Sequence, residues 1–170
     1  MSGQTTLRSA RQGDIGALDH LFQRSYARLL VPDYPPSTLV TAVPVIGRAQ
    51  PALVASGRFY VVEDDAGRLL GAGGWSVQAP GGRPATPGIG HVRHVATDPD
   101  ATRRGVGRQL LGHILQEARA EGLQEMHCQS TLTARPFYER MGFQPRHEIT
   151  VPLGGGITFP AVFMICPLRT

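Results

Sequence analysis

The chain has 170 residues, 41% of them hydrophobic, and a formal net charge of +4 at pH 7. This length is that of one ordinary domain, and we expect a single domain over residues 1–170. No stretch reaches the ~20 consecutive apolar residues of a membrane-spanning helix. The first residues also lack the basic-then-apolar order of a signal peptide. The composition therefore predicts a cytoplasmic globular protein with no membrane contact.

The charge distribution and the two cysteines narrow further the class of protein to which the chain can belong. The arginines are scattered, and no basic run is interleaved with aromatic residues as on a nucleic-acid-binding surface, so we expect no nucleic-acid partner. Cys128 and Cys166 both lie in apolar segments typical of strands. This placement favours buried free thiols over a disulfide and fits a reducing compartment.

The first half of the chain predicts a strand, helices and then a hairpin. In chain order we expect a strand at 5–10, a helix at 15–30 with Asp14 as its N-cap, one or two short surface helices within 37–56, and hairpin strands at 58–63 and 69–77. The helix at 15–30 is predicted from apolar residues at helical spacing, and prolines interrupt the segment 37–56.

The second half alternates strands and helices. In chain order we expect a Pro- and Gly-rich mobile loop at 79–90, a strand at 91–97, an amphipathic helix from Val106 that Gly122 ends, a strand at 123–129, a short helix through Tyr138 with Pro136 in its first turn, and strands at 144–153 and 158–168. This order predicts an α+β fold, a mixed sheet with helices on its faces.

One segment combines the features of an anion site. Arg103-Arg104-Gly105-Val106-Gly107-Arg108 joins the strand at 91–97 to the amphipathic helix. A helix N-terminus has unpaired N–H groups and a positive dipole end. Glycines let an anion approach those groups, and the arginines add positive charge. The segment predicts a pyrophosphate site, although Gly-x-Gly is also the pattern of a tight helix entry.

Two other phosphate-binding loops do not fit this segment. A P-loop requires Gly-x-x-x-x-Gly-Lys-Ser/Thr, and the chain contains no such run. A dinucleotide fingerprint requires a third glycine three residues after the second, where Leu110 stands. A dinucleotide-binding oxidoreductase is therefore disfavoured.

The segment from His91 to Phe143 resembles the acetyl-CoA core of the GNAT acyltransferase superfamily. The matching stretches are His-Val-Ala-Thr-Asp-Pro-Asp at 94–100, Arg-Arg-Gly-Val-Gly-Arg at 103–108, Leu110-Leu111, and Ala134-x-x-Phe137-Tyr138-Glu139-x-x-Gly142-Phe143, with weaker similarity at 71–75 and 159–162. The resemblance implies a mostly antiparallel sheet of about six to seven strands. It also implies transfer of an acetyl group from acetyl-CoA to a primary amine of a small molecule or protein, in a ternary complex and without a metal.

The resemblance assigns the donor site residue by residue. The pantetheine arm would pair with the backbone of the strand before the loop, and the pyrophosphate would rest on the loop N–H groups. The residues implied to bind acetyl-CoA are Val95, Ala96, Thr97, Arg103, Arg104, Gly105, Val106, Gly107, Arg108, Thr131, Ala134 and Phe137. Two positions depart from the family pattern, which often has Gln or Arg at Thr102 and Asn at Thr131.

Three residues are candidates for proton transfer. Tyr138 matches the family tyrosine that protonates the leaving thiolate, or is a core aromatic residue beside Phe137. His91 and His94 lie on the strand before the loop and titrate near neutral pH, so either could deprotonate the amine, directly or through water. In a regular strand they would point to opposite faces, which disfavours a metal site between them. Both could also be structural.

The acceptor is not specified by the sequence. The family builds that site from the first helices and the loops between strands, where Tyr26, Tyr34 and Trp75 could line it or only pack. No acidic cluster suggests a polycationic acceptor. A non-catalytic acyl-CoA-binding sensor on the same fold is the alternative reading, and family habit makes a homodimer plausible.

Overall fold

The computed structural model describes residues 3–168 and folds them into one sheet flanked by helices. The strands are β1 Thr6–Ser9, β2 Phe59–Glu63, β3 Leu69–Ser76, β4 Ile89–Thr97, β5 Glu125–Ser130, β6 Gln144–Gly154 and β7 Ile157–Pro167. The helices are α1 Ile15–Leu29, α2 Pro36–Ile46, α3 Pro51–Ala55, α4 Val106–Ala120 and α5 Arg135–Arg140.

The sheet has seven strands in the order β1-β2-β3-β4-β5-β7-β6. Its neighbours pair antiparallel except β4 and β5, which run parallel because α4 forms the crossover between them. The α+β class and the mixed, mostly antiparallel sheet are therefore confirmed. The helix through Tyr138 is also confirmed, with Pro136 in its first turn.

The two largest apolar clusters lie on opposite faces of the sheet. On one face the buried stripe of α4, including Leu110, Leu111 and Ile114, packs on the sheet together with Tyr138 from α5. On the other face Leu18 and Phe22 of α1 lead a second cluster with α3. This amphipathic pattern is the one that the sequence predicts for α1 and α4.

Three local predictions are corrected. Asp14 does not cap α1 with its side chain; its carboxylate instead accepts from the Arg8 guanidinium at 2.9 Å and the Arg11 N–H at 2.7 Å. Pro44 does not interrupt the chain but lies within α2, on its exposed side. The Pro- and Gly-rich loop ends before Ile89, because Ile89 and Gly90 already pair with β5.

Two further findings concern residues 3–168. None of the helices there is both long and apolar enough to cross a lipid bilayer. Cys128 and Cys166 are both buried free thiols, as the sequence predicts.

Candidate active site

The parallel strands β4 and β5 separate partway along their length. They pair at Ile89, Gly90 and His91, and their register ends at His91 opposite His127. Beyond that point β4 pairs with β3 on one side, and β5 pairs with β7 on its far side. The edge of β4 that faces β5 is therefore open from residue 92 to residue 97, and its backbone groups can pair with an extended ligand.

A bulge in β4 lies within this open stretch. Gly74 pairs with Arg93 and Ala72 with Ala96, so that Gly73 opposes both His94 and Val95. His94 takes the left-handed conformation, with a φ of 52°. The strands approach so closely that a Cβ on Gly73 would lie 2.7 Å from a methyl carbon of Val95.

The bulge changes which side chains share a face, and it corrects the expectation that the two histidines oppose each other. Val92 and Val95 both pack on the α4 side although they are three residues apart. His91 contacts His127 on the opposite face, and His94 packs on Phe22 of α1, also on that face. The opposed arrangement required a regular strand, and this strand is not regular.

A cavity of about 730 Å³, here called the groove, runs from the open edge of β4 to the start of α4. It is lined by eleven of the fifteen predicted site residues, namely Val95, Ala96, Thr97, Arg103, Gly105, Val106, Gly107, Arg108, Ala134, Phe137 and Tyr138. Arg104, Thr131, His91 and His94 do not line it. Ser25, Tyr26 and Leu29 of α1 close its other side.

The start of α4 has the backbone of an anion site. Gly105 occupies the N-cap with a φ of 77°, which L-residues rarely adopt. Its side chain is a hydrogen, so the first N–H groups of α4 face the groove without a covering side chain. Arg103 and Arg108 are exposed beside them and add positive charge.

The turn before α4 is held by a buried carboxylate. Asp98 is 3% exposed and accepts from the Asp100 N–H at 2.8 Å and from Arg68 at 3.1 Å. Burial opposes ionisation, but these two partners outweigh it and lower the pKa of Asp98. Arg24 of α1 lies 3.4 Å from the same carboxylate and ties α1 to the turn.

Tyr138 lies between the groove and the core. It is 5% exposed, its ring packs edge-on against Phe143, and its hydroxyl lies against the Cys128 thiol. Burial raises the pKa of Tyr138 well above its usual value, and burial also raises the pKa of Cys128 to about 12. Tyr138 therefore keeps its proton at neutral pH, and its side chain borders the groove.

A second cavity of about 380 Å³ lies on the α1 side of β4. Its polar lining comes mainly from Gln50, Arg93, His94 and Gln129, and its walls include apolar side chains of α2, β6 and β7. Tyr26 lines both this cavity and the groove. The two spaces therefore meet at β4, where residues 92–94 border the second cavity and residues 95–97 border the groove.

His91 and His94 are neutral at physiological pH. Burial lowers the pKa of His94 to about 4, with a smaller contribution from Arg93. Burial, His127 and Arg93 lower the pKa of His91 to about 4 as well. His91 lies outside both cavities and packs on His127, with ring centres 5.5 Å apart.

Hydrogen bonds fix the tautomer of His94. Arg93 donates to the Gln50 Oε1 at 3.2 Å, so the amide nitrogen of Gln50 faces the His94 Nε2 at 3.0 Å. His94 Nε2 must then accept, which puts the ring proton on Nδ1. Within the described residues, that buried Nδ1 has no hydrogen-bond partner.

Several other predicted residues have structural roles here. The Thr131 hydroxyl accepts from the Ala134 N–H at 3.0 Å and so supports the start of α5. Tyr34 stacks on Phe159, and its hydroxyl bridges Pro160 and Leu132. Trp75 is 1% exposed within the α4-side core. Over residues 3–168, no group of three or more His, Cys, Asp or Glu side chains could hold a metal.

Sequence reasoning missed three polar residues of the second cavity, namely Arg93, Gln50 and Gln129. Arg93 stands between the two histidines of β4, and an arginine in a strand inside the sheet was a usable signal. Gln50 carried no signal, because it reaches β4 from the segment between α2 and α3, distant in sequence.

These features define a mixed-sheet protein with a groove that joins an open strand edge to a helix N-terminus. The chain belongs to the acetyltransferase (GNAT) domain family, whose model matches residues 55–145. The matched segment contains β2 to β5, α4, α5 and all fifteen predicted site residues.

Curated relatives match part of the chain. A glucosamine 6-phosphate N-acetyltransferase of Trypanosoma brucei brucei is 31% identical over 85 residues, which are 48% of this chain and 54% of that protein. An amino-acid acetyltransferase of Neisseria meningitidis serogroup A is 38% identical over 63 residues, 37% of this chain and 14% of that protein. The chain thus matches about half of the first relative and a small part of the second.

Solved structures match nearly the whole chain in fold. A GCN5-related N-acetyltransferase from Rhodopseudomonas palustris superposes with a TM-score of 0.74 at 19% identity, over 98% of both chains. The PaiA N-acetyltransferase of Thermoplasma acidophilum, in complex with coenzyme A, superposes with a TM-score of 0.72 at 13% identity, over 96% of this chain and 99% of that one. At these identities the likeness concerns the fold.

Proposed function

We propose that the chain, as one domain, is an N-acetyltransferase that moves an acetyl group from acetyl-CoA to a primary amine. The observation that carries the proposal is the groove, in which the open edge of β4 leads to the glycine- and arginine-rich start of α4. Family membership and the acetyltransferase names of the relatives support the same reaction.

The donor fits the groove in two parts. The open edge from Val95 to Thr97 offers backbone groups to the extended pantetheine arm, which carries amides. The N–H groups at the start of α4 and the nearby Arg103 and Arg108 suit the pyrophosphate. The thioester then lies at the meeting point of the two cavities, near Tyr26 and Tyr138.

The acceptor amine enters from the second cavity and attacks the thioester carbonyl carbon. The C–N bond forms, the C–S bond breaks, and the nitrogen gives up one proton. Arg93 and the absence of any Asp or Glu among the described lining residues lower the pKa of an ammonium there. Water can therefore take the proton. The neutral His94 ring lies beside this path, but its one basic nitrogen, Nε2, already accepts from the Gln50 amide.

The leaving thiolate is stabilised by Tyr138. The thiolate of a thiol with a pKa of ~8.5 is a weaker base than a phenolate, and burial raises the pKa of Tyr138 further. Tyr138 then acts mainly by donating a hydrogen bond to the departing sulfur, and full proton transfer follows from water. We expect a rate contribution that helps turnover without being indispensable.

Calorimetric titration with acetyl-CoA, with NADH as the control, tests the proposal. Micromolar binding of acetyl-CoA and none of NADH is expected, followed by release of free thiol in the presence of amines. The chain contains no lysine, so lysine self-acetylation cannot contribute to that signal. Binding without turnover on any amine would favour the acyl-CoA sensor, and no binding would overturn both readings.

Location and assembly remain predictions. We predict a cytoplasmic protein and a homodimer through a sheet edge, where β6 presents an exposed strand at the end of the sheet. Sedimentation of the purified chain at micromolar concentration checks the assembly, and a monomer at all concentrations would contradict it.

A further inference from the structure

Arg93 is withdrawn from solvent without a counter-charge. It is half-buried, and it donates to Ser76 Oγ at 3.1 Å and to Gln50 Oε1 at 3.2 Å, both neutral groups. Burial lowers the pKa of its guanidinium, as expected for a charge that has lost water and gained no partner. The remaining N–H donors of the fork are available to a ligand.

The other arginines among residues 3–168 either have a carboxylate nearby or are exposed to water. Six of them lie within 4 Å of a carboxylate, namely Arg8, Arg24, Arg28, Arg58, Arg68 and Arg135. The rest of the described arginines are exposed to water. Arg93 is thus the one described arginine that is both withdrawn from solvent and without a carboxylate, and it lies in the second cavity.

The cavity around Arg93 supplies nothing negative. None of the described residues that line it is Asp or Glu, and Arg93 is their one formal charge. Ile46, Leu153 and Phe159 form apolar walls, and a volume of about 380 Å³ fits a molecule of amino-acid size. A cavity built this way disfavours a polycation and favours an anion with an apolar body.

We propose that the acceptor is a primary amine that also bears a carboxylate, an apolar amino acid in chemical class, with the carboxylate held by Arg93. The inference rests on the proposed acetyl transfer and names its second substrate. The guanidinium fork matches a carboxylate in plane and charge. A phosphate dianion would need a second cation, which the described lining does not offer.

Matched pairs of acceptors test the inference. Thiol release from acetyl-CoA is measured with leucine against leucinamide, phenylalanine against phenylalaninamide, and phosphoethanolamine. The amide has the less basic amine, so ease of deprotonation favours the amide, and a preference for the acid reports binding. We expect kcat/KM for at least one acid to exceed that of its amide by 10-fold or more.

Variants at Arg93 test whether this residue causes the preference for the acid over the amide. Arg93→Gln should lower kcat/KM for the acid, mainly through KM, by roughly 10- to 100-fold more than it lowers kcat/KM for the amide, and it should leave acetyl-CoA affinity unchanged. Arg93→Lys should keep part of the preference. Arg83→Gln is the matched control, an exposed arginine in the loop whose Pro80 and Gly81 border the same cavity. It should leave the preference intact.

The outcomes separate this inference from the proposed function. No binding of acetyl-CoA would end the proposed function itself. The inference would be overturned if acids and amides were used equally well, or if phosphoethanolamine were preferred. It would also be overturned if protein that binds acetyl-CoA acetylated none of the acids. Each of these results would leave cofactor binding standing. An acid preference that persists in Arg93→Gln would also overturn it.

Discussion

Gly107 lies where the first turn of α4 comes close to Phe137. A Cβ there would lie 3.3 Å from two atoms of the Phe137 ring and 3.6 Å from a methyl of Thr97. A larger side chain at Gly107 therefore enters the groove, and a carboxylate there also repels a pyrophosphate.

Gly107→Glu should weaken acetyl-CoA binding by 100-fold or more while the protein stays folded. Gly112→Glu is the matched control, because Gly112 lies in the same helix and a Cβ there has no neighbour within 4 Å. Calorimetry gives both dissociation constants, and circular dichroism checks the fold. Normal binding by the Gly107 variant would refute the proposed phosphate site.

Tyr138→Phe keeps the ring and removes the hydroxyl. Since the hydroxyl is proposed to act on the leaving sulfur, kcat should fall by ~10- to 100-fold with acetyl-CoA affinity within twofold of the original. Steady-state kinetics and calorimetry give the two numbers. A parallel loss of both would instead indicate that Tyr138 serves packing against Phe143.

At the scale of single elements, β4 shows what the sequence could and could not predict. Its existence and position, as the strand that precedes the loop at 103–108, were predicted from the sequence. The bulge at His94 does not follow, because it depends on Gly73 of the neighbouring strand accepting two residues where a regular register has one. The faces of His91 and His94 were therefore wrongly predicted, and Arg93 was overlooked.

His94 of β4 makes the free energy of unfolding depend on pH. The unfolded chain protonates His94 with a pKa near 6.5, and the folded protein does so only near 4. Between these values the unfolded state binds more protons, so the free energy of unfolding should fall as the pH drops from 6.5 to 4. Above pH 6.5 this contribution is constant.

His94→Asn should reduce that slope, since asparagine tolerates a left-handed φ and does not titrate. Arg93 and Gln50 remain beside it, and His91 retains its own lowered pKa and part of the slope. Urea unfolding at pH 4.5, 5.5 and 7 measures the effect. An unchanged slope in the variant would show that His94 is already protonated in the folded protein.

The helix α4 offers a test of stability away from the site. Gly112 lies in the middle of the helix with open space around its missing Cβ. Alanine loses less backbone freedom on folding, so Gly112→Ala should raise the free energy of unfolding by ~0.5–1 kcal/mol. Chemical denaturation checks it, and acetyl-CoA affinity should not change. A destabilised variant would mean that neighbours crowd this position.

For the molecule as a whole, the sequence predicted the layers better than the cavities. Periodicity identified α1, α4 and the strands, because each pattern records burial on one face of its own element. The second cavity forms where α2, β4, β6 and β7 meet, and no local pattern encodes that meeting. Tyr34 and Trp75 illustrate this limit of prediction from sequence. Either side chain could chemically line a binding site, but in the structure both pack in apolar clusters.

The groove lies between β4, the start of α4 and α5. β4 and β5 stop pairing at His91, and a ligand bound along the open edge would link β4 to the start of α4 and to α5. Binding to the folded state alone at 100 times the dissociation constant adds ~2.7 kcal/mol to the free energy of unfolding. For a chain of this size that raises the melting temperature by roughly 5–10 °C.

Thermal unfolding with acetyl-CoA should show this rise, and NADH at the same concentration should not. The Gly107→Glu protein should melt at the same temperature with and without acetyl-CoA, because its groove is blocked, whereas Gly112→Glu should keep the full shift. A shift of equal size with NADH would mean that the ligand is recognised by the adenosine and pyrophosphate groups that the two molecules share. In that case the open edge of β4 contributes little to binding, and its proposed pairing with the pantetheine arm is wrong.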